Sequence, residues 1–130
     1  MAKFSTKSKE RLKTCHINLQ VVLLEAIEEI DFVVLCGTRS VEEQQALYAQ
    51  GRTKPGKIVT WIDGVTKKSN HNHLPSLAVD VAPYPIDWEN LERFKYLAKV
   101  IKRIALENNI ELRWGGDWKK NKDYPHFELA

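Results

Sequence analysis

Histidine and carboxylate residues suited to metal-assisted hydrolysis lie in two short segments of the chain. His71 and His73 come shortly before Asp80, and Asp123 comes three positions before His126. Two imidazole nitrogens and one carboxylate oxygen, with a fourth position left open, form the ligand set of a hydrolytic zinc site. Asp80 stands in an apolar run, where a carboxylate is costly unless it is paired or metal-bound. The residue pattern alone therefore leaves two interpretations open: a metal ligand, or a buried ion pair or strand-end cap.

The other histidine and the two cysteines give no such pattern. His16 falls within a helical pattern and has no partner at ligand spacing, so it is predicted to be structural. Cys15 and Cys36 cannot build a disulfide framework, and their apolar neighbours predict buried free thiols.

The hydrophobic pattern predicts the elements that must position these residues. Apolar residues at spacings of three and four predict one amphipathic helix over Lys7–Ile30, and Phe32–Cys36 is typical of a buried strand. A capping-box pattern at Ser40 begins a second helix, which Gly51 can close. Arg52–Lys68 is predicted to be a loop with a short β-like patch over Ile58–Ile62.

The second half of the chain alternates strands with one long helix. A third helix is predicted to be capped by Asp87 and ended by Asn108 and Asn109. Three strands are predicted, over Leu77–Ala82, Ile110–Trp114 and His126–Leu129. This order predicts an α+β fold, with helices packed on a small, mainly antiparallel sheet.

Length and charge limit the classes of function. The 130 residues suit a single domain over 1–130. A net charge of +3 is too small to indicate nucleic-acid binding, and no apolar run reaches the roughly 18–20 residues of a membrane span. No signal peptide is readable at the N-terminus, so synthesis in the cytoplasm is expected. The chain is also expected to be a monomer.

Several motifs in one order carry a resemblance to a known family. They are Ser69-x-His71 with Ala78-Val79-Asp80, the segment Asp123–Glu128, Gly37–Ser40 with Gln44, Ala82–Trp88 and Arg113–Trp118. Together they resemble the zinc peptidases of bacterial cell walls. This group includes D,D-carboxypeptidases and phage L-alanyl-D-glutamate endopeptidases, and it shares the fold of the hedgehog signalling domain.

The resemblance implies a role for each matching residue. His71, Asp80 and His126 would bind Zn²⁺, and Asp123 would be the general base. Arg39 would lie across the cleft and hold a carbonyl or carboxylate of the substrate, which suits its planar guanidinium.

For two of these roles, the first histidine ligand and the general base, a second residue is an alternative. A shorter form of the motif places the histidine seven positions before the aspartate, which selects His73, whereas the Ser-x-His pattern selects His71. We favour His71, because loops absorb insertions more readily than a ligand moves. Asp117 competes with Asp123 as the base, and the Asp-x-x-His spacing favours Asp123.

The resemblance implies an L-alanyl-D-glutamate endopeptidase that cleaves peptidoglycan as a phage endolysin during host lysis. The enzyme would be made in the host cytoplasm and act on the cell wall, as a single catalytic domain over 1–130 without a separate cell-wall-binding domain. A D,D-carboxypeptidase acting on terminal D-Ala-D-Ala is the nearest alternative. A non-catalytic zinc-binding interaction domain is an alternative of another class.

Overall fold

The sheet at the centre of the molecule has four antiparallel strands. The computed structural model describes residues 2–65 and 67–130; Met1 and Thr66, which is part of the predicted loop Arg52–Lys68, lie outside the described residues. The strands, in their order across the sheet, are β1 (Phe32–Cys36), β2 (Ala78–Pro83), β4 (His126–Leu129) and β3 (Leu112–Trp114). The predicted α+β fold with a small antiparallel sheet is confirmed.

The described residues form four α-helices in addition to this sheet. They are α1 (Thr6–Lys13), α2 (Ile17–Ala26), α3 (Val41–Ala49) and α4 (Leu91–Glu107). The apolar stripe of α4 and the inner face of α2 pack with strand side chains in one core, which includes Val79, Val81 and Phe127. None of the helices within residues 2–65 and 67–130 has both the length and the apolar character needed to cross a membrane.

The predicted single helix over Lys7–Ile30 is wrong, because the chain breaks between α1 and α2. The backbone N–H of Ser76 donates to the Thr14 carbonyl, and the N–H of His16 donates to the Ser76 carbonyl, both at 2.8 Å. Because of these two hydrogen bonds, the backbone between α1 and α2 is not helical. His16 is structural, as predicted, but as the N-cap of α2: its Nδ1 accepts from the Asn18 N–H at 3.1 Å.

Two other local predictions also need correction. Ile58–Ile62 forms no strand, and Trp61 within it is exposed; the segment is held by Gln44, whose amide donates to the Ile62 carbonyl at 2.6 Å. Helix α4 begins after Asn90, whereas Asp87 accepts from the Glu89 N–H in the preceding turn. The capping box at Ser40 is confirmed.

The strand register places the site on the face of the sheet opposite the core. Asp80 is paired with Cys36 of β1 on one side and with His126 of β4 on the other. Successive residues of a strand point to opposite faces. Because Val79 and Val81 lie in the core, Asp80 and its two cross-strand partners project from the other face.

Candidate metal centre and active site

Asp80 is the centre of a cluster formed by side chains from four parts of the chain. Its Oδ1 lies 3.3 Å from His71 Nε2 and 3.2 Å from His126 Nδ1. Its Oδ2 lies 3.6 Å from an Arg39 guanidinium nitrogen. The Asp80 side chain is 18% exposed, so the cluster opens to solvent on one side.

His71 is fixed by local hydrogen bonds of its own segment. It lies in a 3₁₀ turn (Asn70–Asn72) that Ser69 caps, with the Ser69 hydroxyl accepting from the His71 N–H at 3.2 Å. The Nδ1 of its ring lies 2.8 Å from the Gly37 carbonyl, which can only accept, so Nδ1 carries a proton. The opposite nitrogen, Nε2, is buried and has no hydrogen-bond partner of acceptable geometry. A buried polar atom of this kind requires an explanation, such as an ion.

Each imidazole separately lies at a distance from Asp80 that suits a zinc ion, and the two imidazoles fall in different sets of converging ligand atoms. Four ligands held tetrahedrally at about 2.0–2.1 Å lie about 3.3 Å from one another. The two distances from Asp80 Oδ1 to the imidazole nitrogens, 3.3 and 3.2 Å, match this separation. Asp80 belongs to two sets of residues whose ligand atoms converge, one with Cys36 and His71 and one with Asp123 and His126. A metal ion bound at this nitrogen would supply the partner that His71 Nε2 lacks.

The structure brings His71, and not His73, to Asp80. His73 is exposed and lies outside both sets of converging ligand atoms within the described residues. The two residues after it, Leu74 and Pro75, are also exposed, as expected for an insertion in the loop. The placement agrees with the choice of His71, and the ligand assignment itself stays a prediction.

Asp123 lies at the cluster around Asp80, whereas Asp117 does not. Asp123 is part of the set that includes Asp80 and His126, and its carbonyl accepts from the His126 N–H at 3.2 Å. Its backbone passes so close to Gly115 that a Cβ there would lie 2.2 Å from the Asp123 carbonyl oxygen. Asp117 is exposed and forms an ion pair with Lys102.

Arg39 lies beside Asp80 instead of across a cleft from it. Its guanidinium donates to Gln44 Oε1 at 2.8 Å and approaches Cys36 Sγ at 3.6 Å. Gln44 is fully buried, and its amide nitrogen donates to Thr60 and Ile62 of the loop after α3. The hydrogen bond to Gln44 therefore fixes the guanidinium, and only 13% of the Arg39 side chain is exposed.

The charges of the cluster support one another in the absence of metal. Burial opposes the charged form of Asp80, but the hydrogen bond from His126 and the nearby charge of His71 lower its pKa well below the usual range. Burial also opposes the charged imidazoles, yet the nearby charge of Asp80 raises the pKa of His71 to about 10, and the hydrogen bond to Asp80 raises the pKa of His126 to about 9. Burial, with the nearby charge of Asp80, raises the pKa of Asp123.

Comparison with known proteins places the chain in a family. The model of the family described as phage L-alanyl-D-glutamate peptidase matches residues 1–129. The chain belongs to the phage L-alanyl-D-glutamate peptidase family. The family, and the class of peptidase predicted from the motifs, are confirmed.

Two relatives of this peptidase family illustrate the range of the similarity. The L-alanyl-D-glutamate peptidase of Escherichia phage T5 is 32% identical over 132 residues, covering 98% of this chain and 88% of the relative. The peptidoglycan L-alanyl-D-glutamate endopeptidase CwlK of Bacillus subtilis is 39% identical over 106 residues, covering 77% of this chain. The matched part spans 61% of the length of CwlK.

Two solved structures share the fold. The Serratia marcescens L-Ala D-Glu endopeptidase ChiX aligns with a TM-score of 0.79 at 29% identity, covering 98% of this chain and 90% of ChiX. The D,D-pentapeptidase VanY, solved as an E175A mutant in complex with Zn(II), aligns with a TM-score of 0.52 at 16% identity. That alignment covers 98% of this chain and 73% of VanY, and it shows a shared fold.

Sequence reasoning missed two residues of the site. Cys36 is half-buried beside His71 and Arg39, and not an inert thiol in an apolar core. The register of β1 is irregular between Val34 and Cys36, and this irregularity pairs Cys36 with Asp80. No sequence pattern predicts it. Glu128 binds the His126 ring, and the His-x-Glu spacing on a strand could have revealed it, because alternate residues share a face.

Proposed function

We propose that this chain is a zinc-dependent endopeptidase that cleaves the L-alanyl-D-glutamate bond of peptidoglycan stem peptides. One observation carries the proposal: two buried imidazoles converge on a single carboxylate oxygen of Asp80, with the Asp123 carboxylate at the same cluster. The family and the names of its relatives support the choice of substrate.

His71, Asp80 and His126 would hold the ion, through His71 Nε2, an Asp80 oxygen and His126 Nδ1. When bound, zinc lowers the pKa of a water molecule and polarises the carbonyl of the scissile bond. The donor set of two nitrogens and one oxygen leaves a position open, as in catalytic and unlike structural zinc sites.

Asp123 would act as the general base and then as the acid that protonates the leaving amine. Its carboxylate is partly buried, and its raised pKa moves it toward the neutral range where a base is most effective. Asp117 is unsuited to this role, because it lies at the surface in an ion pair with Lys102.

Arg39 would hold a carboxylate or carbonyl of the stem peptide at the open side of the cluster. The stem carries free carboxylates, and a guanidinium binds them through paired hydrogen bonds. The bond to Gln44 leaves the second terminal nitrogen directed to the metal side, next to Asp80 Oδ2.

The relative from phage T5 and the family description support a role as an endolysin in host lysis. In that setting the enzyme would be made in the host cytoplasm as a monomer and reach the wall from inside.

Mass spectrometry of muropeptides released from purified peptidoglycan tests the proposal. We expect cleavage between L-alanine and D-glutamate, its loss on zinc chelation, and its recovery when zinc is restored. The matched control is Asp123→Asn, which should release nothing. Loss of only a terminal D-alanine would identify a D,D-carboxypeptidase instead. Zinc binding with no fragment released from any wall preparation would identify a non-catalytic zinc-binding domain.

A further inference from the structure

The carboxylate of Glu128 contacts a residue of the proposed metal site without being among the proposed ligands. Its Oε1 lies 2.6 Å from Nε2 of His126, and the Glu128 side chain is 16% exposed. Charge-assisted contacts of this length are among the stronger hydrogen bonds in proteins.

The strand geometry makes this contact a fixed one. His126 and Glu128 are alternate residues of β4, so both side chains project from the face of the sheet that carries the site. Phe127 between them is buried in the core and anchors the strand. Opposite Glu128 on β3 lies Arg113.

The two ring nitrogens of His126 therefore have different partners. Nδ1 faces Asp80 at 3.2 Å and Nε2 faces Glu128 at 2.6 Å. Both partners are carboxylates, which can only accept, so without a metal ion each nitrogen can carry a proton. An ion shared with Asp80 would displace the proton of Nδ1, and the shorter contact with Glu128 would keep the proton on Nε2. At His71 the arrangement is reversed, because the Gly37 carbonyl holds Nδ1 and leaves Nε2 free.

We propose that Glu128 is a positioning residue that sets the ring orientation and tautomer of His126, so that Nδ1 faces the metal position. This inference rests on the proposed metal site. The second nitrogen of a metal-bound histidine commonly donates to a carboxylate or a backbone carbonyl. Glu128 and the Gly37 carbonyl supply one such acceptor for each of the two histidines.

Zinc affinity of the full-length chain, measured by competition with a chelator, tests this role without any substrate. Loss of such an outer partner typically weakens metal binding about 10–100-fold. We expect the zinc affinity of Glu128→Ala to be weaker than that of the parent chain by a factor in this range. Glu128→Gln should lose less zinc affinity, because its amide oxygen can still accept a hydrogen bond from His126 Nε2. The matched control is Glu111→Gln, an exposed glutamate at the start of the β3 segment, which should bind zinc like the parent chain.

The tautomer of His126 is a second readout, which a merely structural role would not move. Long-range ¹H–¹⁵N spectra of the zinc-loaded chain should show a proton on Nε2 of His126 in the parent chain and in Glu128→Gln. In Glu128→Ala that proton should exchange faster with water. If Glu128→Ala does not fold, the spectrum of the zinc-loaded parent chain still decides, because the positioning role requires its His126 proton to be on Nε2.

Two results would overturn the positioning role. One is parent-like zinc affinity in both variants; the other is a His126 ring in the zinc-loaded parent that carries its proton on Nδ1. Neither depends on peptidoglycan cleavage. A chain that binds zinc as expected but cleaves no wall would contradict the proposed function alone.

Discussion

At the scale of single residues, Asp123 gives the sharpest test. Loss of a metal ligand removes the bound zinc, whereas loss of a general base removes turnover and leaves the zinc in place. We predict that Asp123→Asn folds, keeps one zinc ion per chain and loses about 10²–10⁴-fold in turnover, the usual effect of removing a general base. Zinc content by elemental analysis and turnover on purified peptidoglycan check this. The control Asp117→Asn removes a surface ion pair and should cleave at the parent rate. Zinc loss in Asp123→Asn would make Asp123 a ligand, and full turnover would place the base elsewhere.

The choice between the two neighbouring histidines is also a residue-scale question. We predict that His71→Ala loses bound zinc, because His71 Nε2 lies 3.3 Å from Asp80 Oδ1. His73→Ala should keep zinc, because the His73 side chain is exposed. Zinc content after gel filtration in chelator-free buffer separates the two variants. A metal-free His73→Ala chain with a zinc-loaded His71→Ala chain would show that the seven-residue spacing was the better guide.

Arg39 contributes to both binding and stability. Arg39→Ala removes the donor to the buried Gln44 Oε1, and an unpaired buried acceptor costs about 1–3 kcal/mol of stability. We predict a lower unfolding midpoint, retained zinc and a raised KM for stem peptides. The matched control is Arg52→Ala, which removes an exposed arginine stacked on Tyr48. An Arg39→Ala enzyme with parent kinetics would contradict the substrate-binding role.

At the scale of elements, local patterns predicted those parts of the fold that local residues determine. The apolar run of β1 and the capping box at Ser40 are of this kind, since neighbouring residues satisfy them. The break at Thr14–His16 could not be predicted, because its backbone partner is Ser76, about sixty positions away. Motifs pointed to the proposed ligand residues, and the His-x-Glu spacing of β4 could also have revealed the contact between His126 and Glu128.

Gly115 links the turn after β3 to the proposed base. A Cβ at this position would lie 2.2 Å from the Asp123 carbonyl oxygen, so the backbone carrying Asp123 must shift in Gly115→Ala. We predict that the variant binds zinc but turns over at least about tenfold more slowly, because a displacement of about 1 Å can cost 10²-fold. Zinc content and kcat are the measurements. Parent turnover in Gly115→Ala would show that the Asp123 segment tolerates displacement.

At the scale of the whole molecule, the two faces of one small sheet have separate tasks. Val79, Val81 and Phe127 pack against the helices, while the alternate positions Asp80 and His126 carry the site. Because both sets share the same strands, the rigidity of the core is transmitted directly to the metal position. The buried charges are then the part of the molecule whose stability depends most on metal and pH.

The pH dependence of stability should differ in form between the metal-free and the zinc-bound chain. Without metal, Asp80 has a lowered pKa, so its stabilising contribution is present above its ordinary value of 3.8 and is lost as the pH falls further. His71 and His126, with pKa values raised from 6.5 to about 10 and about 9, stabilise fully below pH 6.5 and lose this contribution as the pH rises. We therefore predict that the metal-free chain is most stable between about pH 4 and 6.5.

Zinc should reverse the upper part of this profile, because its ligands must be deprotonated and binding strengthens as the pH rises. The zinc-induced rise in unfolding midpoint should therefore grow from pH 5 to pH 8 at a fixed excess of zinc. Thermal unfolding with and without zinc across this range is the measurement. The control Asp80→Asn removes the carboxylate that stabilises both imidazolium ions, so its metal-free profile should flatten above pH 6.5. A metal-free parent chain whose midpoint rises from pH 6.5 to 9 would show that the two histidines are neutral there, and that the cluster is not held by charge.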